Sequence, residues 1–365
     1  MRRVRDMVVV VDKMTSLSGD GLTMTTEGQP GLMDADCYSL VVIFSFIFNI
    51  IFCPLGIVFN IINIVVFCTL GFKESTNIIL VSLAVVDICI LSTFVGVSLN
   101  LYVGVTSAVT LDVLDAVTLL ILGWPNVVAT RISGCLTTYL TFERFLCVVL
   151  PLRVKTILQK KTALTFIIAM CLFSMAYSVP MYLANSIGLR FNPMSNQTSV
   201  GLIVADNSDI LEGVSISVNV IIELITFILV IIFTFGLISA YFRTTKWRQK
   251  VSAVSKNSQF SSRDQKLVKM VLLISVIFIG CTLPSVVVDV VVLVVSDYNL
   301  KGREKFLFLA TTAISFNFIS LNSVVNIFIY LNMSSKFRRV FWVKLYFGNV
   351  SKNNKDKQKK MEHRG

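Results

Sequence analysis

Four ionisable side chains sit inside long apolar stretches of this 365-residue chain: Asp87, Arg131, Glu223 and Asp289. An adjacent acid and base, Glu143 and Arg144, lie at the end of one such stretch. A carboxylate in apolar surroundings can hold a proton, a cation or a guanidinium, and a guanidinium can exchange one carboxylate for another. Catalysis fits poorly. The one His is His363, near the C-terminus, which excludes histidine acid–base chemistry and His-ligated metal. The eight Cys (Cys37, Cys53, Cys68, Cys89, Cys135, Cys147, Cys171 and Cys281) show no CxxC spacing. All but Cys37 and Cys147 fall well inside apolar runs and read as small hydrophobes. No nucleophile–base set accompanies them, so an enzyme is not expected.

The elements that must position these groups follow from composition. The chain is 55% hydrophobic and 15% charged, whereas a soluble domain carries about a quarter charged residues. A helix needs about 20 mainly apolar residues to cross a bilayer. Seven stretches qualify: 37–72, 75–110, 116–142, 162–189, 213–242, 270–296 and 306–335. Backbone groups in lipid must bond internally, so each span is expected to be helical. There is no period-two alternation to suggest a barrel, and no paired repeat of the transporter kind. The expected fold is an all-α membrane protein, a seven-transmembrane helix bundle over 37–335 with an amphipathic eighth helix over 336–347. In that eighth helix Phe337, Val340, Phe341 and Leu345 share one face, suited to lying on the membrane surface. Segments 1–36 and 348–365 read as a disordered N-terminal segment and a disordered basic tail.

Orientation follows from charge. Connections after the odd-numbered spans, with the tail, hold 23 Lys and Arg, against 8 on the opposite side. The excess belongs in the cytoplasm, which puts the N-terminus outside. Asn196 then opens a glycosylation sequon, Asn196-Gln197-Thr198, on the outer side. The net charge of +12 reflects this asymmetry and is not a nucleic-acid signal, so no nucleic-acid partner is expected.

Asp87 lies mid-span. Asn60, Ser133, Asn322, Ser323 and Asn326 stand at similar depth on other spans. A carboxylate among hydroxyl and amide oxygens suits a hard monovalent cation, a water network or plain hydrogen bonding between helices. A sodium ion at Asp87, Ser133, Asn322 and Asn326 is the one cofactor in view. Arg144 reads either as an interfacial snorkelling side chain or as a switch. In the second reading it pairs with an acid on another helix, Asp264, in one state and is released in the other. Pro284 should kink the sixth span and let its inner end swing.

Together these residues resemble the class A (rhodopsin-like) G-protein-coupled receptors. Leu83-Ala84-Val85-Val86-Asp87 matches LAxxD, and Glu143-Arg144-Phe145 matches E/DRY. Phe278, Cys281 and Pro284 match FxxCWxP, and Asn326-Ile327-Phe328-Ile329-Tyr330 matches NPxxY. Phe337-Arg338 matches the start of the family's eighth helix. Residues 56–67 and Gly123-Trp124-Pro125 look, more narrowly, like molluscan chemosensory and related invertebrate peptide-type receptors.

The resemblance implies a multi-pass plasma-membrane receptor for an extracellular small molecule or peptide, acting on a heterotrimeric G protein. Glu143, Arg144, Asp264, Asn326 and Tyr330 would form the coupling switch. Arrestin and kinases would be further partners, with serines 252–262 as candidate kinase sites. The amine-binding Asp of the family is Asn126 here, and the retinal Lys position is Ser320, which speaks against both ligand types. The ligand pocket would use Asn126, Thr130, Arg131, Glu223, Thr282 and Asp289, although Arg131 and Glu223 could instead pair with each other.

Departures from the family pattern are as specific. Leu119 replaces the span-three Cys of the usual disulfide, and 185–212 contain no Cys. Thr282 replaces the toggle Trp, and Ile327 the Pro of NPxxY. A decoy or scaffold receptor that does not couple is therefore the first rival reading, and a transporter or channel the second.

Overall fold

The computed structural model describes residues 31–106, 116–150, 159–192, 197–251, 262–298 and 302–344. Helices α1 (Ala35–Leu70) and α2 (Ser75–Thr106) come first. A π-helical turn, Thr118–Gly123, runs into α3 (Trp124–Val149), and α4 (Lys160–Ala184) follows. The hairpin β1 (Asn185–Asn192) and β2 (Gln197–Val204) precedes α5 (Ser208–Val251), α6 (Ser262–Val294) and α7 (Lys305–Met333). Residues 335–344 form α8. Among the described residues, seven helices are long and apolar enough to cross a membrane.

The surface is the reverse of a soluble protein's. Leu172, Phe235, Ile210 and Leu293 are exposed, while Asp87, Ser275, Ser320 and Thr141 are fully buried. In lipid, apolar side chains lose nothing by facing outward, whereas polar groups must find partners within the bundle. Helix α1 packs on α2 and α7, α3 on α5, and α6 on α7. The half of the core towards the C-terminal end of α3 is built from Leu83, Leu136, Leu140, Met270, Ile274 and Tyr330.

Helix ends extend past the lipid spans wherever charge takes over from hydrophobicity. The fifth span, expected over 213–242, belongs to a helix running from Ser208 to Val251. Asp34 caps α1 by accepting from the Cys37 amide at 2.8 Å, and that bond holds its carboxyl below the ordinary value. Gly71 ends α1 at φ +78°, a region that glycine enters without the Cβ clash of other residues. One boundary needs correction. The fourth span does not continue to Leu189: α4 stops at Ala184, and Leu189 belongs to β1. The hairpin was not foreseen, because a short apolar run reads equally as strand or helix.

Helix α8 keeps Phe337 fully buried, with Val340 and Phe341 half-buried and Arg338 and Arg339 exposed. Leu345 lies outside the described residues, as do segment 1–30, the sequon residue Asn196, the loop 252–261 and the tail 345–365.

A Cβ on Gly56 would stand 2.6 Å from Val324 Cγ2 and 2.7 Å from Leu91 Cδ1, whereas one on Gly280 meets nothing within 4 Å. Gly56→Ala is therefore expected to cost about 1–3 kcal/mol through overpacking between α1, α2 and α7. Thermal unfolding of purified protein checks this, with Gly280→Ala showing no loss.

Candidate functional site

The polar centre of the bundle is Asp87 on α2, 0% exposed. Its Oδ1 accepts from Ser323 Oγ at 3.0 Å, and its Oδ2 from Asn326 Nδ2 at 2.9 Å. Both donors are on α7, three residues apart and so on one helix face. Asn60 ties α1 to the same place by donating to the Ser323 carbonyl at 2.8 Å. The Ser133 hydroxyl is buried without a partner among the described residues, and Asn322 is half-buried. Free lone pairs on Asp87 and an orphaned hydroxyl suit a small cation or a water in kind.

A second cluster joins α3, α5 and α6 towards the other end of α3 from Arg144. Arg131 Nη2 forms an ion pair with Glu223 Oε2, and Arg131 Nε donates to Asn219 Oδ1 at 2.9 Å. Asp289 and Ser285 on α6 lie within electrostatic reach of Glu223, whose carboxylate oxygens accept no hydrogen bond among the described residues. Of the sequence-expected pocket residues, the structure thus unites Arg131, Glu223 and Asp289. Asn126 points elsewhere: its amide donates to the Ile90 carbonyl at 3.1 Å and Thr93 Oγ1 at 2.7 Å, both on α2. Thr130 bonds back to the Asn126 carbonyl at 2.9 Å, and Thr282 is buried. Asn219 and Ser285 were missed in the sequence. Each stands four residues before a charged member, Glu223 or Asp289, and that helical spacing was the signal available.

At the opposite end of α3, Glu143 Oε1 accepts from Ser75 Oγ at 2.6 Å and Thr76 Oγ1 at 3.0 Å, pinning α3 to the start of α2. Arg144 Nη2 lies 3.5 Å from the same oxygen. Arg144 Nε is buried with no partner among the described residues. The Asp264 backbone belongs to α6, and its side chain lies outside the described residues. A neighbouring lock does join α3 to α6: Thr141 Oγ1 and Ser275 Oγ are 2.7 Å apart. Tyr330 is 1% exposed, its ring centroid 5.0 Å from Phe67 and 5.5 Å from Phe337.

A family model, 7 transmembrane receptor (rhodopsin family), matches residues 59–330. The chain belongs to this family. The match spans most of the chain, and the family consists of multi-pass plasma-membrane receptors, not enzymes. No curated protein matches the chain.

The connections at the Arg131 end of the bundle are held by hydrogen bonds. None of the eight cysteines, all within the described residues, forms a disulfide. Tyr182 Oη on α4 donates to the Leu120 carbonyl in the π-turn at 3.2 Å. Asn185 Nδ2 donates to Glu212 Oε1 at 2.7 Å, and the Ala205 amide to the Ala184 carbonyl at 2.9 Å. The hairpin is clamped at its base on α4 and α5, and α4 is tied to α3 separately. Phe278 packs against α3 at Gly134, where a built Cβ would stand 3.4 Å from its Cζ.

Glu223 is 1% exposed, so removing its cation leaves a buried charge unpaired. Arg131→Met is expected to destabilise the receptor by about 3–5 kcal/mol, and R131M/E223M to recover a large part of that loss. Thermal unfolding of the purified variants checks it; a double variant no more stable than Arg131→Met would remove the pairing from the account.

Proposed function

We propose that this receptor takes an extracellular small molecule or peptide of the chemosensory or peptide-hormone type and activates a heterotrimeric G protein. The N-terminus is outside and the basic face is cytoplasmic, by the Lys and Arg distribution. The observation that carries the coupling reading is the state of Arg144. Its guanidinium is largely buried and, among the described residues, holds one 3.5 Å contact and leaves Nε unpartnered. A buried cation so weakly held gains when a new partner arrives, as a switch residue must. Asp264 is its proposed partner in the resting state. Ligand contact at Arg131, Glu223 and Asp289 would reach α6 directly through Asp289, and α6 pivots at Pro284. Arrestin and kinases complete the partner set, and Asn196 carries the glycan.

The Asp87 centre is proposed to take a sodium ion with Ser133, Asn322 and Asn326, and the orphaned Ser133 hydroxyl supports this. A non-coupling decoy receptor is the second reading, favoured by Thr282 in place of the toggle Trp.

Arg144→Ala is expected to reach the cell surface and to lose stimulation of nucleotide exchange. Full exchange by this variant would leave the switch without support. Asp264→Ala should raise basal exchange, and no rise would dissociate Asp264 from Arg144. Agonist affinity should depend on sodium in the wild type and not in Asp87→Asn; a wild type indifferent to sodium leaves Asp87 with water alone. Absence of exchange across G proteins and ligand libraries would favour the decoy.

A further inference from the structure

A cavity of about 140 Å³ opens beside the inner end of the bundle, between the α1–α2 turn, α6 and the start of α8. Lys73, Lys266 and Lys336 line it from these three separate elements. Glu74 stands among them, its Oε1 3.6 Å from Lys336 Nζ. The rim keeps a surplus of positive charge, with apolar walls from Phe67 and Met270. Arg144 does not line it, but Thr76, which bonds Glu143, and Phe67, which packs on Tyr330, do, so the cavity adjoins the coupling switch without containing its guanidinium.

Gathering lysines around a concavity costs self-repulsion unless an anion neutralises them. Basic pockets between membrane helices on the cytoplasmic side hold phosphorylated headgroups. The volume suffices for one bare six-membered ring, so phosphates on that ring would sit at the rim with the lysines. We propose that this cavity binds a phosphomonoester on a compact ring, and that the occupant holds α6 against the α1–α2 turn and α8. Its source is either an inner-leaflet phosphoinositide or a soluble inositol phosphate.

The regulatory consequence follows from where the cations are. Lys266 belongs to α6, while Lys73 and Lys336 belong to elements on its other side. A phosphate shared among them makes its full set of contacts only while α6 is packed inward. The occupant therefore favours the closed arrangement and lowers activity by that difference in affinity. This consequence rests on the proposed orientation and α6 movement, whereas the binding itself does not.

The test uses the purified full chain in detergent, with both faces accessible, and native mass spectrometry of bound phosphatylinositol bisphosphate against phosphatidylserine. The expected result is selective retention of the phosphoinositide. Each Lys→Gln change at 73, 266 and 336 should weaken it about fivefold, and Lys160→Gln should leave it unchanged. The melting temperature of each variant without lipid confirms that it is folded. Displacement by soluble inositol trisphosphate would assign the site to the headgroup alone, and resistance to displacement would assign it to the intact lipid. Equal retention of phosphatidylserine, or unchanged retention in K73Q/K266Q/K336Q, overturns the site. In nanodiscs the phosphoinositide should lower basal nucleotide exchange in wild type but not in Lys266→Gln; a rise or no change overturns the regulatory half. A receptor that stimulates no exchange but retains the lipid would refute the coupling reading and leave the site standing.

Discussion

A carboxylate buried away from bulk solvent must be answered from within the bundle, and Asp87 is that carboxylate. Leaving it unsatisfied in a low-dielectric interior would cost several kcal/mol. Two donors on α7 answer it, and Asn60 reaches the same stretch of α7 from α1. Hydrophobic burial cannot order helices in lipid, because the tails are as apolar as the side chains. The order of α1, α2 and α7 is therefore set chiefly by these polar bonds and by close packing at Gly56.

The rest of the bundle hangs from α3, whose two charged ends are held very differently. Arg131 meets a carboxylate and an amide oxygen. Arg144 shares one oxygen that already accepts two hydroxyl bonds from α2. Glu143 is thus committed to anchoring α3 on α2, and its neighbour is left short of partners. Stability and readiness for change are separated along one helix. Between them, the Thr141–Ser275 contact joins α3 to α6 with a hydroxyl pair, a bond worth about 1 kcal/mol and therefore easily exchanged.

Much of this was legible in the sequence because the bilayer imposes a coarse rule on length and polarity. Seven apolar runs gave seven helices, and Asp87 with Ser323 and Asn326 could be grouped by depth. The Arg131–Glu223 pair was open to reading as the two charges facing each other across spans three and five. Side-chain direction was not legible. Asn126 shares its helix with Arg131 but donates to α2, a choice made by which neighbour offers a carbonyl. The hairpin was hidden because Ile187, Leu189 and Ile203 serve a strand as well as a membrane helix. The Ser75 and Thr76 anchors for Glu143 looked like ordinary residues at a helix start.

The loss of the outer disulfide changes what holds the hairpin, not whether it is held. A covalent link between α3 and the hairpin would fix the two together. Here, among the described residues, hydrogen bonds hold the hairpin where it leaves α4 and enters α5, and α3 meets α4 through the Tyr182–Leu120 bond and the packing of Trp124 with Tyr177 and Met181. Each such bond is worth about 1 kcal/mol, whereas a disulfide typically contributes 2–4 kcal/mol. The strands remain paired from Asn185 opposite Val204 to Asn192 opposite Gln197, so the hairpin keeps its shape while its attachment to α3 is weak. Motion of the hairpin relative to α3 is then cheaper than unfolding of the hairpin itself.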